Sequence, residues 1–202
     1  MEAVKDGLVE WAVAERARAG ETESGDRCVV KTLPDGALLA AMDGLGHGAE
    51  AALAAGLAVR TVEHHADQPL IEIVERCHQR LVRTRGVALS LSRWDARRRS
   101  LTWVGVGNVE GLLIQAGAGT RPAPERLLLR GGAVGVRLPA LRVSRIEVPG
   151  SGLLVFATDG ITSGFDQGLD AGGPTQSLAD QIMARHCRGT DDALVLVARL
   201  AG

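Results

Sequence analysis

The stretch from Leu38 to Gly48 constrains the fold of this 202-residue chain more than any other. Its apolar run ends abruptly at Asp43, and three glycines and His47 follow within five residues. An alanine-rich segment comes next. This order predicts a buried strand, then a glycine turn, then a helix. Asp43 would therefore lie at the edge of a sheet, where glycines let backbone or a bound group come close.

Two further aspartate sites carry a similar signature. The apolar run 153–158 ends at Asp159-Gly160, and Asp191-Asp192 precedes the apolar run 193–198. In an antiparallel sheet, the end of one strand and the start of its neighbour share an edge, so these carboxylates could meet. Clustered carboxylates repel each other unless a cation or a proton joins them. Oxygen ligands of this kind suit magnesium or manganese.

Composition narrows the class of protein. With 46% hydrophobic and 23% charged residues, we expect one globular domain over residues 1–202. A net charge of -1 and only 2% aromatic residues argue against a nucleic-acid surface. No apolar stretch has the length of a membrane span or the form of a signal peptide, so we expect a cytoplasmic monomer without a membrane contact. Three widely spaced cysteines predict reduced, buried thiols.

Hydrophobic periodicity outlines the elements. Apolar runs and alternation predict strands at 8–14, 28–33, 37–42, 87–94, 100–106, 111–114, 126–129, 141–148, 153–157 and 193–200. Helical spacing predicts helices over 49–65, from Pro69 to a stop at Gly86, and over 178–187. The segment 161–174 should be a loop. Because strands come in hairpin runs rather than in alternation with helices, we expect an α+β fold of packed antiparallel sheets with outer helices.

Four motifs in order carry a resemblance to a known family. They are Ser24-Gly25-Asp26, the 43–48 stretch Asp-Gly-Leu-Gly-His-Gly, Ala157-Thr158-Asp159-Gly160 and Gly189-Thr190-Asp191-Asp192. Together they resemble the metal-dependent protein phosphatases of the type 2C class, in the bacterial SpoIIE-like branch. The resemblance covers nearly the whole chain. It implies an α-β-β-α sandwich of two packed antiparallel sheets with flanking helices.

The resemblance also implies a metal site with two Mn²⁺ or Mg²⁺ ions. Asp43 resembles the aspartate that bridges both ions, with the Gly44 carbonyl as a ligand of one. Asp159 and Asp191 resemble ligands of the other ion, and Asp26 resembles the acidic residue that holds metal-bound water. Adjacent strand residues point to opposite faces, so only one of Asp191 and Asp192 should face the ions. The implied catalytic set is Asp26, Asp43, Asp159 and Asp191.

The implied reaction is hydrolysis of phosphoserine or phosphothreonine by a hydroxide that bridges the metal ions. Within the branch, a bare catalytic domain of this length resembles the phosphatases that reset stressosomes, so phosphorylated STAS-domain stressosome proteins are the expected partners. The loop 161–174 and the turn Arg97–Arg99 are the candidates for recognising them. Two alternatives stay open: a phosphatase for a phosphorylated anti-sigma-factor antagonist, and an inactive pseudophosphatase that binds a phosphoprotein.

Two departures from the family pattern bear on the mechanism. Eukaryotic members place a histidine two residues after the bridging aspartate, as a candidate acid for the leaving oxygen. Leu45 takes that place here, and His47 or water would have to serve instead. Many members also have an arginine shortly before the Asp26-type motif, and neither Arg16 nor Arg18 matches its register clearly.

Other aspartate-rich classes fit less well. Haloacid-dehalogenase phosphatases need an Asp-x-Asp motif, which Asp43-Gly-Leu lacks, and response-regulator receivers need alternating strands and helices. Gly107-Asn108 is predicted to be a turn rather than part of a site. His64, His65 and His78 are predicted to lie on helix surfaces, because no acidic or cysteine partner has ligand spacing.

Overall fold

The computed structural model describes residues 4–5, 7–115 and 124–201. Eleven strands are present in these ranges: β1 Val4–Lys5, β2 Val9–Arg16, β3 Asp26–Leu33, β4 Gly36–Gly44, β5 Val87–Asp95, β6 Ser100–Val106, β7 Glu110–Gln115, β8 Glu125–Arg126, β9 Ser144–Glu147, β10 Gly152–Ala157 and β11 Ala193–Leu200. The helices are α1 Ala49–His64, α2 Leu70–Leu81 and α3 Thr175–His186.

The strands form two antiparallel sheets. One has six strands in the order β1-β2-β11-β10-β7-β8, and the other has five in the order β3-β4-β5-β6-β9. Helices α1 and α2 cover the five-stranded sheet, and α3 packs on β2 and β11 of the six-stranded sheet. The predicted α-β-β-α sandwich is therefore confirmed.

Alternation along β10 and β11 assigns side chains to two separate cores. Leu154 and Phe156 of β10 pack in the core between the sheets, together with Leu194 and Leu196 of β11. The intervening residues, such as Val155, face outward and form a second core under α3. Because successive side chains of a strand point to opposite faces, a strand buried on both faces must be apolar throughout. This explains the continuous apolar runs in the sequence.

Small residues let α1 lie close to its sheet. The alanines of its inner face, among them Ala51, Ala54 and Ala58, are fully buried. A Cβ atom on Gly44 would lie 2.3 Å from the Ala51 carbonyl oxygen, so only glycine fits at the end of β4. None of the described helices is long and apolar enough to cross a lipid bilayer.

Most predicted helices and strands agree with the structure within a few residues. The differences lie in strands at the sheet edges and at the ends of elements. The strands expected at 126–129 and 141–148 shrink to Glu125–Arg126 and Ser144–Glu147, because both lie at sheet edges and are largely exposed. The short strand β1 was not predicted. Helix α3 begins at Thr175 rather than at residue 178. Pro174 precedes the helix, and Thr175 Oγ1 donates a hydrogen bond to Glu10 Oε1 at 3.1 Å.

Candidate active site

Two of the predicted site residues are direct neighbours on adjacent strands. Asp26 begins β3 and Asp43 lies next to the end of β4, and the two are Cα partners in the β3–β4 ladder. Directly opposed residues project to the same face with Cβ atoms about 5 Å apart. Asp26 is 1% exposed and Asp43 is half-buried, so two carboxyl groups share a poorly solvated position.

The second sheet brings two more carboxylates to the same rim. Asp159 follows β10, and Asp191 precedes β11, at the shared edge where Ala157 of β10 pairs with Val195 of β11. The Thr158 hydroxyl donates to Asp26 Oδ2 at 2.7 Å and accepts a hydrogen bond from the Leu194 amide at 2.8 Å. This hydroxyl therefore links the two sheets at the acidic rim.

The electrostatics confirm that these carboxyl groups affect one another. Burial, with a smaller contribution from Asp26, Asp159, Asp191 and Asp192, raises the pKa of Asp43 to about 8. Burial also raises the pKa of Asp26 to about 7, and its neighbouring aspartates add to this while the hydrogen bond from Thr158 opposes it. Without a cation, part of this cluster therefore holds protons at neutral pH.

Asp159 belongs to the same cluster, and the effects that raise its pKa are only partly offset by those that lower it. Burial and the charge of Asp191 raise its pKa, whereas Arg188 and a hydrogen bond from Asn108 act in the opposite direction. A Cβ atom on the following residue, Gly160, would lie 1.9 Å from the Asp192 carbonyl oxygen. Glycine is therefore required there, because the β10 end and the β11 start approach so closely.

The donor set suits a hard divalent cation. Its groups are carboxylate oxygens with mutual repulsion that a cation would relieve. In the described ranges, no three histidine, cysteine or acidic side chains already stand in a metal-coordinating arrangement. The chemistry of the donors thus fits Mg²⁺ or Mn²⁺, and the ligand assignment to Asp26, Asp43, Gly44, Asp159 and Asp191 stays a prediction.

Asp192 has a different environment from Asp191. It is 3% exposed, and its two carboxylate oxygens accept hydrogen bonds from the amides of Arg18 at 2.8 Å and Gly25 at 2.7 Å. It therefore holds the loop between β2 and β3 against the rim. Asp191 is half-buried and accepts a hydrogen bond from the Asp192 amide at 2.9 Å. This difference favours Asp191 as the residue that faces a cation.

His47 joins the two loops that flank the acidic rim. Its exposed ring has Nδ1 2.7 Å from Glu21 Oε1, in the loop that Asp192 holds. Arg16 is exposed at the end of β2, and Arg18 contributes its backbone amide to Asp192. The contact to Glu21 gives His47 a structural role at the start of α1 and leaves the identity of the acid open.

Sequence reasoning missed Asn108 and Thr158 as site residues. Gly107 does make the predicted turn, with φ at 96°, but Asn108 Nδ2 also donates to Asp159 Oδ2 at 2.6 Å. The only signal for this contact is that β7, which follows the turn, must pair with β10. That pairing was not predicted from the sequence.

The two recognition candidates lie at opposite ends of the sandwich. The loop 161–174 starts directly after the Asp159 site, whereas the turn Arg97–Arg99 follows Asp95, which pairs with Gly36 at the far end of β4. Gly36 and Asp43 are about 24 Å apart along an extended strand. The turn therefore lies away from the rim, and its part in recognising a partner stays a prediction.

The arginine side chains of that turn also have local partners. Arg97 pairs with Asp35 at 2.7 Å, Arg98 Nη1 lies 3.5 Å from Asp95 Oδ2, and Arg99 donates to the Pro149 carbonyl at 2.7 Å. They anchor the turn and the neighbouring chain. His78, predicted to lie on a helix surface, is half-buried and accepts a hydrogen bond from the Gly135 amide at 2.9 Å.

Comparison with known proteins identifies the family. Residues 34–201 match the model of the Stage II sporulation protein E (SpoIIE) family. The chain belongs to this family. Phosphoserine phosphatase RsbX of Bacillus subtilis (strain 168) is 29% identical over 105 residues, which are 52% of this chain and 53% of RsbX. That match therefore spans about half the length of the curated relative.

Solved structures agree over almost the whole chain. A chain from a structure of the bacterial stressosome, described as a modular system adapted to control secondary messenger signalling, is 31% identical with a TM-score of 0.86, over 95% of this chain and 99% of its own. RsbX in complex with magnesium superposes with a TM-score of 0.88 at 20% identity, over 99% of both chains.

The type 2C fold itself is confirmed in the same way. A chain with the PP2C phosphatase domain and a fragment of the regulatory domain of SpoIIE from Bacillus subtilis superposes with a TM-score of 0.79 at 22% identity, over 96% of this chain and 63% of that one. The predicted membership of the type 2C class, in its SpoIIE-like branch, is therefore correct.

The raised carboxyl pKa values predict a distinctive stability profile for the metal-free protein. The folded chain keeps protons on Asp43 and Asp26 up to about pH 8 and 7, whereas the unfolded chain releases them near 3.8. The free energy of unfolding should therefore fall as pH rises from about 4 towards 8. Added manganese should restore the most stability at the upper end of this pH range. Thermal unfolding of the protein in EDTA and in manganese measures this.

The control is Asp43→Asn, which has no carboxyl group to titrate at this position. In EDTA, the melting temperature of this variant should increase relative to that of the natural chain as pH rises. A difference that is flat in pH, or that runs the other way, would show that Asp43 is ionised in the metal-free fold.

Proposed function

We propose that this chain is a metal-dependent protein phosphatase that hydrolyses phosphoserine and phosphothreonine. The observation that carries the proposal is the pair Asp26 and Asp43, joined by the Thr158 hydroxyl to the rim of the other sheet. Family membership and the type 2C fold supply the class of reaction. The family alone would not distinguish an enzyme from a pseudophosphatase, whereas a retained acidic cluster favours the enzyme.

Two Mn²⁺ or Mg²⁺ ions are the proposed cofactors. Asp43 and the Gly44 carbonyl, Asp159 and Asp191 are the proposed ligands, and Asp26 completes the set. When bound, such ions lower the pKa of water and neutralise negative charge on a phosphoryl group. The reported magnesium complex of RsbX supports the choice of metal.

Neighbouring side chains orient the proposed ligands. The Thr158 hydroxyl donates to Oδ2 of Asp26, and among the described residues none donates to its Oδ1. Asn108 donates in the same way to Oδ2 of Asp159, whose other oxygen has no donor in the described part of the chain. Asp192 fixes the loop that leads into Asp26, because it binds the Gly25 amide. These contacts reduce the freedom of both carboxylates before a substrate arrives.

Two of the three cysteines, Cys28 and Cys77, do not offer a competing nucleophile. Burial raises the pKa of Cys77 to about 12, and burial followed by the charge of Glu15 raises the pKa of Cys28 to about 12. A thiol is a nucleophile only as the thiolate, so neither cysteine is activated at neutral pH. Water is therefore the proposed nucleophile.

This proposal predicts strict metal dependence. EDTA should abolish hydrolysis of p-nitrophenyl phosphate, and added manganese should restore it. Asp43→Asn should lower kcat at least about 100-fold, because loss of a residue that only hydrogen-bonds to a metal ligand can reach this range and Asp43 is itself a proposed bridging ligand. Asp192→Asn, which disturbs only the loop, should retain more activity. Turnover in metal-free buffer, or equal losses in both variants, would contradict the assignment.

The proposed substrates are phosphorylated STAS-domain proteins of a stressosome. The support is the likeness to RsbX and to the stressosome chain, together with the exposure of Asp159 at the rim, which a folded protein can reach. The loop 161–174 lies beside the rim, where Ser163 donates to Glu110 Oε1 at 2.9 Å and Asp166 binds Arg126 at 2.6 Å. That residues 1–202 form one cytoplasmic, monomeric catalytic domain stays a prediction.

Substrate preference can be measured directly. The phosphorylated stressosome scaffold and a phosphorylated anti-sigma-factor antagonist should be offered to the purified enzyme side by side. We expect a higher kcat/KM for the scaffold. A preference of about tenfold for the antagonist, which is about 1.4 kcal/mol of transition-state free energy, would overturn this choice of substrate. Binding without hydrolysis of either would indicate a pseudophosphatase.

A further inference from the structure

A basic groove runs between α1 and α2 on the outer surface of the five-stranded sheet. It has a volume of about 570 Å³, and its lining contains three arginines and two histidines but no acidic residue. The cationic and imidazole side chains are Arg60, His64, His65, Arg76 and Arg80. None of these residues belongs to the acidic rim. In a chain with a net charge of -1, this is a local concentration of positive charge.

The charge follows from helical spacing. Arg60 and His64 are four residues apart on α1, and Arg76 and Arg80 are four residues apart on α2. The two pairs face each other across the groove, since Cys77 of α2 lies against the Ala58 carbonyl of α1. Like charges at this spacing destabilise a helix. The Arg76–Arg80 pair therefore opposes formation of α2 rather than supporting it.

The groove arginines form no ion pair with a carboxylate in the described part of the chain, in contrast to several other surface arginines. Arg85, Arg97 and Arg126 each pair with a carboxylate. Over residues 7–115 and 124–201, no carboxylate forms an ion pair with Arg60, Arg76 or Arg80. Arg76 donates its Nε to Gln68 at 2.8 Å, and its terminal nitrogens stay available.

We propose that this groove docks an acidic surface segment of the phosphoprotein substrate, which rests on the proposed phosphatase function. An open groove lined by long charged side chains is unlike a small-molecule pocket, which is concave and mostly apolar. Arginine, in contrast, is enriched in protein interfaces and binds carboxylates through two parallel hydrogen bonds. The complementary partner surface therefore carries several Asp or Glu side chains.

The distance to the acidic rim suits a folded substrate. Helix α1 starts at the rim, directly after Gly48, and Arg60 lies about 18 Å further along its axis. A folded domain of about 100 residues has a radius of gyration of about 13 Å. One such domain can place a phosphoresidue at the rim and contact the groove at the same time. Docking there would select among phosphoproteins without changing the chemistry at the rim.

Charge reversal in the groove separates docking from chemistry. Arg76→Glu/Arg80→Glu should raise both the Kd and the KM for a phosphorylated STAS-domain protein about tenfold, since like charges across an interface oppose association. Its kcat on p-nitrophenyl phosphate should not change. Raising the salt concentration should weaken binding of the natural chain more than that of the variant. Calorimetric titration gives the Kd, and steady-state kinetics give KM.

The matched control is Arg142→Glu/Arg145→Glu. These arginines are exposed near and on the edge strand β9, and within the described ranges no carboxylate pairs with them, so this variant has the same change in net charge. It should bind like the natural chain. Arg76→Ala/Arg80→Ala, which tests the same contacts with less electrostatic disturbance, should give an intermediate Kd.

The outcomes distinguish the two proposals. Normal turnover of p-nitrophenyl phosphate with unchanged Kd and KM in the groove variant would overturn the docking site. Equal losses in the groove and control variants would also overturn it, because net charge would then explain the effect. Weaker binding by the groove variant in a chain that hydrolyses nothing would support docking and reject the phosphatase function.

Discussion

Asp26 and Asp43 are cross-strand neighbours, and the burial of their carboxyl groups, reinforced by the repulsion between them, is the constraint on which the site depends. The fold creates this repulsion, because the β3–β4 register leaves no other position for the two side chains. Thr158 then fixes the position of Asp26 relative to the second sheet. A divalent cation held by the proposed ligands would relieve this cost more completely than protons do, since it would also neutralise Asp159 and Asp191. The chemistry proposed for the site therefore follows from the packing of the two sheets.

Much of this arrangement could be predicted from the sequence. An apolar strand that is buried on both faces and ends in aspartate leaves its carboxylate at the sheet edge, and this occurs at Asp43 and Asp159. Asp191 precedes a strand of the same kind. In an antiparallel sheet, the end of one strand and the start of its neighbour share an edge, so these carboxylates come together. What the sequence could not supply is the pairing order, so the approach of Asn108 to Asp159 and of Thr158 to Asp26 was not predicted.

The errors have physical causes of the same kind. The strands expected at 126–129 and 141–148 lie at sheet edges, where a β-like sequence has a partner on one side only. The turn Arg97–Arg99 was chosen as a recognition candidate for its charge alone, and that role stays a prediction, but the sequence could not give its position. Pairing of Asp95 with Gly36 places that turn at the far end of β4. The basic groove was not predicted from the sequence, because its residues are separated in the chain and come together only when α1 and α2 pack against each other.

The central claim is that this rim holds two divalent ions with Asp43 between them. A crystal soaked in manganese, with anomalous scattering recorded near the manganese absorption edge, tests the claim most directly. The account predicts two anomalous peaks about 3.5–4 Å apart, with Asp43 contacting both and Asp191, not Asp192, contacting one. No peak at the rim, or manganese bound without Asp43, would contradict it.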